Sequence, residues 1–105
     1  MISQQTANLN KKQSIKRLGE EFRSPGHIPI CIASENLLNQ RKGHTELVTA
    51  LLEMAGLIPV GCGCEIMGMQ GKAMSKKDVQ HYAKTKNLSF IEGKTIIEAW
   101  KQWSP

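Results

Sequence analysis

A chain of 105 residues, 40% hydrophobic and 22% charged, has room for one modest core and the balance of a folded domain rather than a disordered tail. Fourteen basic against nine acidic residues leave a formal charge of +5, which favours anionic partners such as nucleic acid, an acidic protein or a phosphorylated metabolite. No run of 18 apolar residues exists to span a membrane, and the polar start MISQQTANLNKKQ lacks the apolar core of a secretory signal, so a cytoplasmic location is expected.

Residues 1–10 carry no hydrophobic period and are expected to form a loose arm. From Lys11 to Phe22 the spacing of Ile15, Leu18 and Phe22 predicts a helix with one apolar face, stopped by Ser24-Pro25-Gly26. His27–Ala33 (HIPICIA) is rich in Ile and predicts a strand, with Pro29 placing it at an edge or a strand start. Ser34–Gln40, with Leu37 and Leu38, predicts a short strand or a turn. Thr45–Ala55 carries Leu47, Val48, Leu51, Leu52 and Ala55 as a broad apolar stripe and predicts a helix ended by Gly56.

Pro59–Met67 (PVGCGCEIM) is apolar between Pro59 and Gly68 and predicts a buried strand with Cys62 and Cys64 on one face. Ser75-Lys76-Lys77-Asp78 has the spacing of a capping box, with Asp in place of Glu, and opens a helix running to about Asn87. Leu88–Ile91 predicts a short strand, and Thr95–Trp103 a last helix with Ile96, Ile97, Trp100 and Trp103 on one side. Helices alternating with strands predict an α/β fold of the layered α+β kind, a mixed sheet with helices packed on it.

The chemistry concentrates in two places. Arg41-Lys42-Gly43-His44-Thr45-Glu46 lies where a loop runs into the Thr45 helix. Helix starts present unpaired N–H groups and the positive end of the dipole, both attractive to phosphate. Gly43 permits close backbone approach, Arg41 offers a planar fork, Thr45 caps or binds an anion, and His44 is a candidate metal ligand or substrate contact. The plainer alternative is a Thr45 cap with solvated basic neighbours.

Glu65 stands inside an apolar strand as a candidate general base or metal ligand, if buried, or as a strand-end carboxylate in solvent. His27, at the start of its strand, is taken on local grounds as structural rather than catalytic, and His81 as a surface residue. Cys31, Cys62 and Cys64 are an odd number without a second ligand pair, so neither a disulfide scaffold nor zinc is expected, and Cys62 and Cys64 read as small core packing. Two Phe, two Trp and one Tyr, not interleaved with basic residues, do not make a base-stacking surface, so nucleic acid is not an expected partner.

Four motifs in order change the weighting. Phe22-Arg23-Ser24-Pro25-Gly26-His27-Ile28-Pro29-Ile30, Gln40-Arg41-Lys42-Gly43-His44-Thr45-Glu46, Met54-Ala55-Gly56-Leu57 and Cys64-Glu65-Ile66-Met67 together resemble the 3,4-dihydroxy-2-butanone 4-phosphate synthase family, and its archaeal members most. The resemblance runs from about residue 15 to Trp100. It implies a lyase of riboflavin biosynthesis that converts D-ribulose 5-phosphate to 3,4-dihydroxy-2-butanone 4-phosphate and formate. It further implies a homodimer using Mg2+, with Mn2+ as a substitute, and no organic cofactor. Arg41, Lys42, Gly43, His44, Thr45 and Glu65 become substrate contacts, with Arg41 and Thr45 near the phosphate and His44 a metal ligand. His27 and Glu65 become the catalytic proton-transfer residues, which reverses the local reading of His27.

One departure from the family pattern stands out. Its acidic Asp-Arg-Glu-x-Glu loop has no counterpart before Lys11, and Asp78 is the sole aspartate. Residues 11–105 therefore resemble the C-terminal half of the enzyme, an incomplete version of the family's single-domain fold. The resemblance then implies one half of a split enzyme needing a complementary N-terminal half, a truncated frame, or a phosphate-binding or structural remnant without catalysis.

Overall fold

A computed structural model describes residues 10–103, so the expected arm over 1–10 lies outside the described residues except for Asn10. That residue caps the first helix, its side-chain oxygen accepting from the Gln13 N–H at 3.0 Å. Among the described residues four α-helices follow in chain order: α1 (Lys11–Glu21), α2 (His44–Met54), α3 (Lys76–Thr85) and α4 (Gly93–Trp103), with a 3₁₀ turn at Leu37–Asn39 between α1 and α2. The chain divides into two compact units, one running to Val60 and the other from Gly61 onward.

In the first unit the core is small. The 3₁₀ turn packs on α2, and Leu37, Leu38 and Ala50 are its buried apolar residues. Helix α1 matches the predicted range to within a residue, yet Ile15, Leu18 and Phe22 are all exposed and the helix contributes no buried side chain. It is held instead by its cap and by exposed pairs such as Arg17–Glu21 at 2.8 Å, one turn apart. Helix α2 ends as Gly56 predicts. Gly56 sits at φ +69, its N–H donates to the Glu53 carbonyl at 2.9 Å, and the Leu57 N–H reaches back to the Leu52 carbonyl at 3.0 Å.

The second unit holds α3 and α4, with Ala83, Ile96 and Trp100 buried. The predicted Ser75 cap is present: its hydroxyl accepts from the Asp78 N–H at 3.2 Å and donates to the Asp78 carboxylate at 2.6 Å. Aspartate, one methylene shorter than glutamate, meets the hydroxyl rather than reaching back to the cap's own N–H. Helix α3 closes as α2 does, with Asn87 at φ +54 in the place of glycine and the Leu88 N–H on the Ala83 carbonyl at 2.8 Å. Lys76 at the start of α3 pairs with Glu92 just before α4 at 2.9 Å, and Lys94 adds a second contact at 3.5 Å.

The expected mixed sheet is overturned. Among the described residues there is no strand, and the β pairing is one isolated antiparallel bridge between Met67 and Ala73. His27–Ala33 carries Ile28, Ile30 and Ile32 exposed, the last two at 91% and 90%. Pro59–Met67 is likewise exposed rather than buried, with Cys62 and Cys64 in the open rather than in a core. Leu88 and Ile91 are exposed and form no strand. The physical reason is common to all three segments. A helix closes its hydrogen bonds within itself, whereas a strand exists only when a second segment completes its ladder. Of the alternatives for Ser34–Gln40, the structure takes the turn.

Candidate functional site

Helix α2 starts at His44, and its N-cap is Gly43, with no side chain closing the cap. The open N–H groups at this end are the feature that the Arg41–Thr45 spacing predicts. Thr45 is not the cap. It lies inside the first turn, half-buried, and its carbonyl accepts from the Thr49 hydroxyl at 2.8 Å. Arg41, Lys42 and His44 are exposed around it.

The organising residue of this loop is one that pattern reading passes over. Glu46, in the first turn of α2, is 1% exposed and is the buried charged residue among those described. Its Oε1 accepts from the Ser34 N–H at 3.0 Å and from the Ser34 hydroxyl at 3.1 Å. Its Oε2 accepts from Arg41 Nη1 at 2.8 Å. Three bonds thus tie the segment before the 3₁₀ turn, the loop after it and the helix start to one carboxylate. The backbone passes so close that a Cβ on Gly43 would meet Glu46 Oε2 at 2.6 Å and Arg41 Cζ at 2.7 Å. A side chain at position 43 would therefore have to displace the ends of the Arg41 and Glu46 side chains, whereas the backbone φ, −88, is open to any residue.

These bonds hold the Glu46 carboxyl at about 2, far below the ordinary 4.5. The Ser34 N–H is the largest cause, joined by the N–H of Glu46 itself, the Ser34 hydroxyl and the Arg41 charge, while burial opposes them. A folded-state pKa below the unfolded one gives stability that is complete above the unfolded value and lost as pH falls through the folded value. The Ser34–Glu46 loop is therefore expected to stay closed at pH 5 and above and to open progressively between about 4.5 and about 2. The Ser34 amide resonance, followed by NMR against pH, reads this directly. In a Glu46→Gln variant that transition should vanish.

The remaining expected site residues stand as follows. His27 is exposed, in the irregular segment after the cis Ser24–Pro25 bond. Glu65 is exposed in the second unit. The structure brings Arg41, Gly43 and Glu46 together on the α2 start. No group of three or more His, Cys, Asp or Glu among the described residues is placed to hold a metal ion. His44 is a single nitrogen donor, the nearby Glu46 carboxylate is committed to Ser34 and Arg41, and magnesium takes oxygen ligands. The described residues do not by themselves fit a magnesium site. No helix among them is long and apolar enough to cross a membrane.

Comparison with known proteins supplies the frame for these residues. The profile of the 3,4-dihydroxy-2-butanone 4-phosphate synthase family matches residues 3–99. The 3,4-dihydroxy-2-butanone 4-phosphate synthase of Methanosarcina mazei is 45% identical over 89 residues, covering 84% of this chain and 36% of the relative. The synthase of Archaeoglobus fulgidus is 43% identical over 86 residues, covering 81% of this chain and 36% of its own length. A riboflavin biosynthesis protein of Staphylococcus epidermidis, RibBA, is 36% identical over 78 residues, 74% of this chain and 20% of that protein. The chain thus spans 36% of the length of each of these two archaeal relatives.

Proposed function

On the premise that the chain belongs to the 3,4-dihydroxy-2-butanone 4-phosphate synthase family, we propose that it serves the conversion of D-ribulose 5-phosphate to 3,4-dihydroxy-2-butanone 4-phosphate and formate. It does so as a riboflavin-pathway lyase in the cytoplasm. The observation that carries the proposal is the family match through residues 3–99, which takes in both the loop at α2 and the Glu65 segment. The α2 start supplies the phosphate grip: the guanidinium of Arg41 and the uncapped N–H groups after Gly43 are the donors a phosphate monoester needs. Lys42 adds positive charge, and Thr45 lies within the first turn beside them.

Enolisation, rearrangement of the carbon skeleton and loss of formate each require protons to move, and His27 and Glu65 are assigned that work. Both are exposed in this chain. Excluding water around each of them calls for further surface, which the remainder of the family sequence would supply as a complementary chain, or a second copy of this chain in a dimer. His44 is assigned as one donor of a magnesium ion whose oxygen ligands would come from that remainder.

Calorimetry of the purified chain tests the phosphate grip. D-ribulose 5-phosphate should bind and unphosphorylated D-ribulose should not. Arg41→Ala should weaken binding roughly ten- to hundredfold, the range of a hydrogen bond to a charged group. Equal affinity for the two sugars would remove the phosphate reading.

A further inference from the structure

We infer that Glu46 is a positioning residue for the phosphate grip, holding the Arg41 guanidinium across Gly43 with the rest of its N–H fork open to an anion at the start of α2. The inference rests on the proposed assignment of Arg41 to the substrate phosphate and adds a residue outside the Arg41–Thr45 set.

The asymmetry of the ion pair is the first support. Its carboxylate side is 1% exposed and its guanidinium side 64% exposed, so the pair is anchored from within and open from without. An ordinary surface pair would be exposed at both ends and free to exchange partners. The division of labour on the carboxylate is the second. Oε1 is taken by two bonds from Ser34, which fixes the plane of the group and leaves Oε2 aimed at Arg41 Nη1. One of the five N–H donors of arginine is thereby committed. The absent Cβ of Gly43 is the third. The pair lies against the backbone of the helix N-cap, a glycine that offers no capping side chain of its own.

Two effects of opposite sign compete in such an arrangement. The Glu46 charge repels an incoming anion, which by itself makes phosphate binding weaker. Holding the arginine in place removes the rotamer freedom that a mobile side chain loses on binding, which makes it stronger. The account has positioning win, because the carboxylate charge is already met by Arg41 and two Ser34 donors.

Glu46→Gln separates the two. The amide oxygen still accepts from Ser34, but the amide nitrogen cannot accept from Arg41. Inorganic phosphate is titrated by calorimetry into the wild-type chain and into the Glu46→Gln, Arg41→Ala and doubly substituted chains, with the Arg41 Nε–H resonance followed by NMR where Arg41 is present and the helix content by circular dichroism. Glu46→Gln should weaken phosphate binding roughly three- to tenfold with helix content kept. In the Arg41→Ala background the same change should cause no further loss, and a small gain is expected, since only the repulsion between the Glu46 carboxylate and the anion is then removed. Should Glu46→Gln not fold, Ser34→Ala loosens the carboxylate from its other side and should give a smaller loss in the same direction, again only when Arg41 is present.

Tighter or unchanged binding by Glu46→Gln overturns the inference, as does an equal loss with and without Arg41, which marks a purely structural role. If Arg41→Ala binds phosphate as the wild type does, the assignment of Arg41 fails and the inference with it. That outcome differs visibly from a failure of Glu46 alone.

Discussion

Trp100→Ala should unfold the second unit, with a loss of about 3–5 kcal/mol as for truncation of a large buried aromatic. Trp100 is 5% exposed on α4, and among the described residues of that unit the other buried ones are Ala83 and Ile96. With so few side chains sharing the burial, no other group takes over what the indole contributes. Trp103 makes the internal control. It stacks on Trp100 with ring centroids 5.2 Å apart, yet is half exposed. Trp103→Ala loses the ring contact, worth about 0.5–1.5 kcal/mol, and little burial. Thermal unfolding of the two variants should therefore separate them widely. Equal destabilisation would show that the ring pair, not the burial of Trp100, holds the unit together.

The largest effect on chemistry is expected at Glu65. If it transfers a proton in the rearrangement, Glu65→Gln keeps the size of the side chain and removes the proton carrier. The rate of formate release should fall by roughly 10²–10⁴, the usual contribution of a positioned acid or base. Because Glu65 is exposed in this chain, the substitution should leave the folding of the chain unchanged. That combination of lost rate with kept stability is the signature of a chemical role. A rate lowered less than tenfold would return Glu65 to the ordinary surface.

Local signals were legible and long-range ones were not. The four helices follow from apolar spacing and from caps that act within one turn, as at Asn10, Ser75 and Gly56. The strands at His27–Ala33, Pro59–Met67 and Leu88–Ile91 were inferred from composition alone, and composition says nothing about whether a pairing segment is at hand. The exposed Ile30 and Ile32 are that missing information made visible. The same division runs through the site. The open start of α2 lies in the contiguous residues Arg41 to Glu46. Glu46 as organiser depends on Ser34, twelve residues earlier, and on the backbone passing close at Gly43. Its one available sequence signal was an acidic residue in a first helical turn, which is common on helix surfaces.

Release of formate decides whether this chain carries, as proposed, part of a ribulose 5-phosphate lyase. The purified chain, mixed with the portion of the Methanosarcina mazei relative outside the matched region, is incubated with D-ribulose 5-phosphate and magnesium. The mixture should release formate, and the release should be lost with Arg41→Ala and with Glu65→Gln. No formate from a mixture in which the chain is folded and binds the sugar phosphate would contradict it, leaving a phosphate-binding domain without catalysis.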